Sequence, residues 1–226
     1  MRVGILGSGT VGRTLAGKIA SLDHDVMLGT RDPAATLART DTGPMTPQTF
    51  AQWHAANAEV KLGRFDEAAA HGELVVSATS AAAALAALEA AGAGNLAGKT
   101  LIDTSNPLDF SAGFPPSLSV CNTDSMGERI QAAFPDTRVV KALNTVNALV
   151  MVDPDAVGAG DHDILLCGND TDAKEEVVTL LRSFGWRNVV DLGDIVGARG
   201  MEMYLPLWLR LMGAGGTPMF NVRIVR

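Results

Sequence analysis

The sequence predicts a doubly wound α/β domain on a mostly parallel sheet, and three observations predict it. Short β-branched runs alternate with Ala-rich helical runs along the chain. A glycine-rich turn joins the first such strand to the first helix. Apolar residues make up 47% of the 226, enough for one large core. Strands are expected at 3–6, 26–28, 60–62, 74–77, 101–102, 139–141, 164–166 and 189–191. Helices are expected at 11–21, 47–56, 68–71, 81–91, 125–134 and 171–184.

The first strand runs into Gly7-Ser8-Gly9-Thr10-Val11-Gly12, a G-x-G-x-x-G between strand and helix. Gly7 permits the tight turn, Gly9 lets a pyrophosphate approach the backbone, and Gly12 lets the helix pack on its strand. The helix N-terminus then offers free N–H groups and its positive dipole end to phosphate. In that context the motif points to dinucleotide binding in a Rossmann-type sheet.

The second strand ends in Gly29-Thr30-Arg31. An NAD-selective site would place a carboxylate there, whereas a guanidinium and a hydroxyl suit a 2′-phosphate, so NADP(H) is favoured. Asp32-Pro33 reads as a helix N-cap followed by proline at the first helical position.

Ligands of open α/β sheets lie beyond the carboxyl ends of the strands. Ala78, Thr79, Ser80, Asn106 and Thr145 are therefore expected on the cofactor, and Ser105, Asn106, Pro107 and Asn144 at the substrate pocket. Capping of the segments that follow is the ordinary alternative for about half of them. The stretch 106–122 follows the fifth strand without periodic pattern and reads as a functional loop. The Ala-rich stretch 81–91 reads as a packed helix.

Residues 1–193 read as the nucleotide-binding domain. Residues 194–226 read as a short helical and strand extension that packs on the same domain or on a dimer partner. The apolar run 204–212, interrupted by Arg210, is too short to cross a bilayer and suits a core or subunit-contact helix. Core or dimer contact is likewise favoured for Trp208, Met212, Met219 and Phe220. Solvation, a subunit salt bridge and substrate binding are all open for Arg199, Glu202 and Arg210.

The net charge of −7, with no basic stripe, excludes nucleic acid and anionic membranes as partners. Cys121 and Cys167 have no nearby histidine pair, so neither a metal site nor a disulfide framework is signalled. Together with a strand-like N-terminus in place of an export signal, this favours the cytoplasm. His24, His71 and His162 all precede strands and are expected at the edge opposite the nucleotide, and His54 sits on a helix of unsettled position. No general acid or base stands out. A flat acceptor that stacks on the nicotinamide and takes hydride directly fits such a site, with catalysis by positioning.

The segments GILGSGTVG, LGTR, IDTSNP, KALNTVNALVMVDP and DLGDIVGARGMEMYLPLW together resemble the coenzyme F420:NADP oxidoreductases. The resemblance covers most of the chain and rests mainly on the later segments. It implies a Rossmann fold, hydride exchange between NADP(H) and a deazaflavin, a small-molecule acceptor, and usually a homodimer. By matching motifs, Ser8, Gly9, Thr10 and Val11 would meet the pyrophosphate, and Thr30 and Arg31 the 2′-phosphate. The family often carries further basic residues after this arginine, and residues 32–35 supply none. The tail 203–226 also departs from the family's best-understood members. Two alternatives stay open: an NADPH-dependent reductase of a flavin, quinone, imine or metal chelate, and a non-catalytic NADP(H)-binding sensor.

Overall fold

Alternate residues of the central strands supply two apolar faces, and helices cover both. In this computed structural model, which describes residues 1–42 and 47–225, the strands are β1 (Arg2–Leu6), β2 (Asp25–Thr30), β3 (Lys61–Arg64), β4 (Leu74–Ser77), β5 (Thr100–Asp103), β6 (Leu108–Asp109), β7 (Ser117–Leu118), β8 (Arg138–Ala142), β9 (Asp163–Gly168) and β10 (Asn188–Asp191). The main sheet runs β10-β9-β8-β5-β4-β1-β2-β3. All eight expected strands are in it. The loop read at 106–122 carries the antiparallel pair β6 and β7, a small ribbon outside the main sheet.

The helices are α1 (Thr10–Ala20), α2 (Pro33–Leu37), α3 (Phe50–Ala56), α4 (Phe65–His71), α5 (Ala81–Ala91), α6 (Ala93–Leu96), α7 (Met126–Ala133), α8 (Ala148–Val152), α9 (Thr171–Phe184), α10 (Ala198–Met203) and α11 (Leu205–Gly215). On one face Leu15 and Ile19 of α1 and Val177 and Leu181 of α9 pack with Val3, Ile5, Val76, Ile102 and Val140. On the other, Phe65 of α4, Leu88 of α5 and Ile130 of α7 pack with Leu6, Val75, Leu101 and Val139. Each such fully buried aliphatic contributes about 1.5–3 kcal/mol. Capping fixes the ends: Asp32 accepts from the Ala35 N–H ahead of Pro33, Asp170 accepts from Ala173, and α9 stops at Gly185 in the left-handed region.

Six strands, from β3 to β8, run parallel. β9 pairs antiparallel with β8, Ala142 lying opposite Leu166, and β10 follows β9. This corrects the placement of His162. Because β9 begins where β8 ends, His162 lies at the carboxyl edge of the parallel strands and not opposite it. An apolar run does not reveal strand direction, and that is why the expectation failed. His162 is committed to structure: it is buried, its Nε2 lies 2.9 Å from the Pro154 carbonyl, its Nδ1 lies 2.8 Å from the Asn221 amide, and its ring meets Trp186 edge-on. His54 is likewise engaged, with Nε2 2.9 Å from the Val60 carbonyl.

Beyond β10 the chain forms α10 and α11 and returns to β9. The Asp163 N–H donates to the Val222 carbonyl, Met219 packs on the α1 and α9 core, and Phe220 stacks on Trp208 at 5.2 Å between ring centroids.

Candidate active site

Strand β1 has β2 on one side and β4 on the other, so the chain changes direction across the sheet at β1 and opens a crevice there. The three motif glycines divide by what surrounds them. At Gly7, φ is +125° and a Cβ would stand 2.5 Å from the Ala78 carbonyl oxygen. At Gly12 a Cβ would stand 1.9 Å from the Gly7 oxygen. At Gly9 it would meet no protein atom within 4 Å. Gly7 and Gly12 are therefore required by the fold, whereas at Gly9 the open space faces the N-terminus of α1, which has no acidic residue in its first turn and no side-chain cap. That is a cradle for an anion. Thr10 and Val11 form the first turn of α1, with Val11 packed on the core.

The crevice has a volume of about 770 Å³ and brings together Gly7, Ser8, Gly9, Thr30 and Arg31 with Ala78, Thr79 and Ser80. The Thr30 hydroxyl lies 2.7 Å from that of Thr36, and both residues line the space. Arg31 is exposed at the rim. A second rim cation, Arg39, escaped sequence reasoning. Its Nη1 donates to the Ser8 hydroxyl at 3.2 Å, and its Nε and Nη2 donate to the Asp41 carboxylate at 2.8 and 2.7 Å. This pairing, chiefly the hydrogen bonds from Arg39, holds the Asp41 carboxyl down at about 2. The signal was the Asp32-Pro33 helix start. A short helix begun there returns the chain to the crevice, so the missing second basic residue comes after α2 rather than beside Arg31.

Arg13 supports this rim from below. Its Nη1 donates to the Gln48 carbonyl and its guanidinium lies over the Phe50 ring, while burial and the neighbouring Arg39 lower its pKa. An open glycine turn, a free helix N-terminus and two rim arginines fit a dinucleotide carrying a 2′-phosphate.

Further along the same edge lie the residues that follow β5 and β8. Leu143 is buried with φ +66°, a left-handed conformation that costs an ordinary residue about 1–3 kcal/mol. It turns Asn144 toward Asn106. The Asn106 amide donates to the Asn144 carbonyl and the Asn144 amide to Asn106 Oδ1, both at 2.9 Å, and Asn144 also donates to the Met201 carbonyl at 3.1 Å. Ser105, Pro107, Asn144 and Thr145 are buried and Asn106 is half-buried, so Asn106 is the most accessible of the five. The Ser105 hydroxyl and Asn144 Oδ1 have no hydrogen-bond partner among the described residues, nor does the Thr79 hydroxyl in the crevice.

Behind this pair stands a charge cluster. Lys141 Nζ lies 2.8 Å from Asp103, 2.8 Å from Glu202 and 2.5 Å from the Ser105 carbonyl, so all three ammonium protons are used. Burial alone would push the Lys141 pKa down, but the two carboxylates outweigh it and the value is raised. Glu202 also accepts from the Met126 and Gly127 N–H groups at the start of α7. A solvated face for Glu202 is thereby excluded: it is 1% exposed. Arg199 pairs with Glu128 at 2.6 Å, and Arg210 is exposed.

The profile of a family described as "NADP oxidoreductase coenzyme F420-dependent" matches residues 2–107. A crystal structure from Arthrobacter sp. FB24, provisionally named an F420-dependent NADP-reductase, is 56% identical, covers 99% of both chains and superposes with a TM-score of 0.95. The F420-dependent NADP reductase of Methanothermobacter marburgensis is 26% identical over 215 residues, 93% of this chain and 92% of that one. The metalloreductase STEAP3 of Rattus norvegicus is 29% identical over 215 residues, 92% of this chain; the chain spans 38% of that protein's length. With a relative of such identity matched from end to end, and its motifs on one sheet edge, the chain belongs to the family of coenzyme F420-dependent NADP oxidoreductases.

Proposed function

We propose that the protein transfers hydride between NADP(H) and coenzyme F420. The observation that carries this reading is the pairing of an open Gly9 turn with Arg31 and Arg39 at one crevice. The reduced cofactor supplies a hydride and leaves as NADP⁺; the deazaflavin gains that hydride and one proton from water.

The chain's own residues bind and orient. Ser8, Gly9 and the first turn of α1 hold the pyrophosphate, while Thr30, Arg31 and Arg39 take the 2′-phosphate. Ala78, Thr79 and Ser80 border the ribose, and Asn106 and Thr145 the nicotinamide, with Ser105, Pro107 and Asn144 behind the acceptor. Their neutral side chains offer no strong acid or base, and the Lys141 ammonium is fully engaged. Rate enhancement therefore comes from holding two flat rings in contact.

The decisive assay mixes purified protein, NADPH and coenzyme F420 and follows the deazaflavin absorbance, with NADH as control. Rapid bleaching with NADPH and much slower bleaching with NADH is expected. Tight NADPH binding without bleaching would overturn the acceptor assignment. The likeness to a metalloreductase over 92% of the chain makes a metal chelate the first other acceptor to try. Tight NADPH binding without oxidation by any acceptor would mark a sensor.

We further propose a cytoplasmic homodimer. Met203, Leu207 and Leu211 recur every fourth residue along α10 and α11 and are exposed, a stripe suited to a second copy. Light scattering should give twice the chain mass for the native protein and the chain mass for Leu207→Glu; a monomeric native protein would refute this.

A further inference from the structure

The Asp103, Lys141 and Glu202 cluster lies outside the nucleotide crevice. Its bonds run in two directions. Asp103 accepts from the Ser105 N–H at 3.0 Å while Lys141 donates to the Ser105 carbonyl at 2.5 Å, so the peptide groups on both sides of Ser105 are held. Ser105 precedes Asn106, whose carboxamide is locked to Asn144. In the other direction Glu202 takes two N–H groups of α7, and its neighbour Met201 gives its carbonyl to Asn144. One closed circuit thus joins the end of β5, the end of β8, the start of α7 and α10. All three charged side chains are essentially inaccessible, at 0–1% exposed, so water cannot substitute for any member.

We propose that Lys141 and Glu202 are positioning residues for hydride transfer. They carry the C-terminal segment into the site by setting where Asn106 and Asn144 sit against the nicotinamide. This rests on the NADP(H) reading above. A merely structural cluster would support the whole crevice alike. A positioning cluster separates its two ends, because it touches only the nicotinamide side.

Two measurements test this. In Glu202→Gln, which keeps shape and removes one charge, kcat should fall by roughly tenfold to a hundredfold while the KM for NADPH and the affinity for 2′,5′-ADP stay within about twofold. An unchanged kcat in the folded variant, or a parallel loss of 2′,5′-ADP binding, would overturn the proposal. The second measurement uses the native protein and does not depend on the variant folding. Amide hydrogen exchange at Ser105 and at Met126 and Gly127 should slow together on adding NADPH and stay at the free rate with 2′,5′-ADP. NADPH binding that slows one set without the other, or neither, would overturn the coupling alone; no NADPH binding would overturn the underlying reading and the proposal with it.

Discussion

The two ends of the site are built on opposite principles. At the Gly9 end the residues are placed by an open turn and exposed side chains, and the Arg39–Asp41 pair is more than a third exposed on both partners. At the Asn106 end three charges are sealed from water with every Lys141 proton satisfied. A screened surface pair adds little to folding, whereas breaking a sealed pair leaves an uncompensated charge inside. The open end should therefore lose ligand when altered, and the sealed end should lose stability when its one cation is removed.

Lys141→Met is the hardest test of that division. It leaves Asp103 and Glu202 facing one another without a cation, and stability should fall by about 3–5 kcal/mol in chemical denaturation. A loss below about 1 kcal/mol would mean that the cluster is no more costly to break than a surface pair.

The glycines repeat the contrast within six residues. Gly12→Ala forces a methyl against the Gly7 carbonyl at 1.9 Å and should cost about 1–3 kcal/mol of stability through displacement of the turn. Gly9→Ala meets nothing and should leave stability within about 1 kcal/mol of the native protein. Its effect should appear instead as an NADPH dissociation constant raised by more than about tenfold, since the methyl fills the cradle. Calorimetry of both variants, with and without NADPH, would show whether fold and ligand separate in this way.

The same division governs how much could be read from sequence. The open end is local: G-x-G-x-x-G, Thr30-Arg31 and Asp32-Pro33 each act within a few residues, so each was legible. Arg39 was not, because its place depends on the length of a helix whose start alone was visible. The eight strands were legible from their apolar runs, but the reversal of β9 was not, and His162 was misplaced with it. Glu202 was least legible of all. A glutamate on a tail helix looks like a solvated face residue until its partner Lys141, 61 positions earlier, is brought beneath it by the fold.

Arg39→Ala asks whether the rim cation missed in sequence matters to ligand. Folding should be nearly unchanged, because the Asp41 pair is exposed. NADPH should bind about tenfold more weakly and NADH about equally, since one charge-assisted contact to the 2′-phosphate is gone and Arg31 remains. Equal weakening of both nucleotides would move Arg39 from the 2′-phosphate to the pyrophosphate beside Ser8.

Asp41→Asn is the smallest change expected and the finest probe of the open end. Asp41 occupies Arg39 as an anion would, so a 2′-phosphate must compete with it for the guanidinium. Removing the carboxylate should tighten NADPH binding by about two- to threefold and leave NADH unchanged. The pH dependence follows from the direction of the shift. Arg39 holds the Asp41 carboxyl down at about 2, so the native carboxylate stays ionised from pH 8 to pH 5 and cannot switch its competition off in that range. The ligand can: a phosphate monoester loses its second charge near a pKa of about 6. The advantage of the variant should therefore shrink, without reversing, as pH falls from 8 to 5. A gain that vanished altogether by pH 5 would mean that Asp41 is itself protonated there and no longer competes, and that Arg39 does not hold it as the geometry requires.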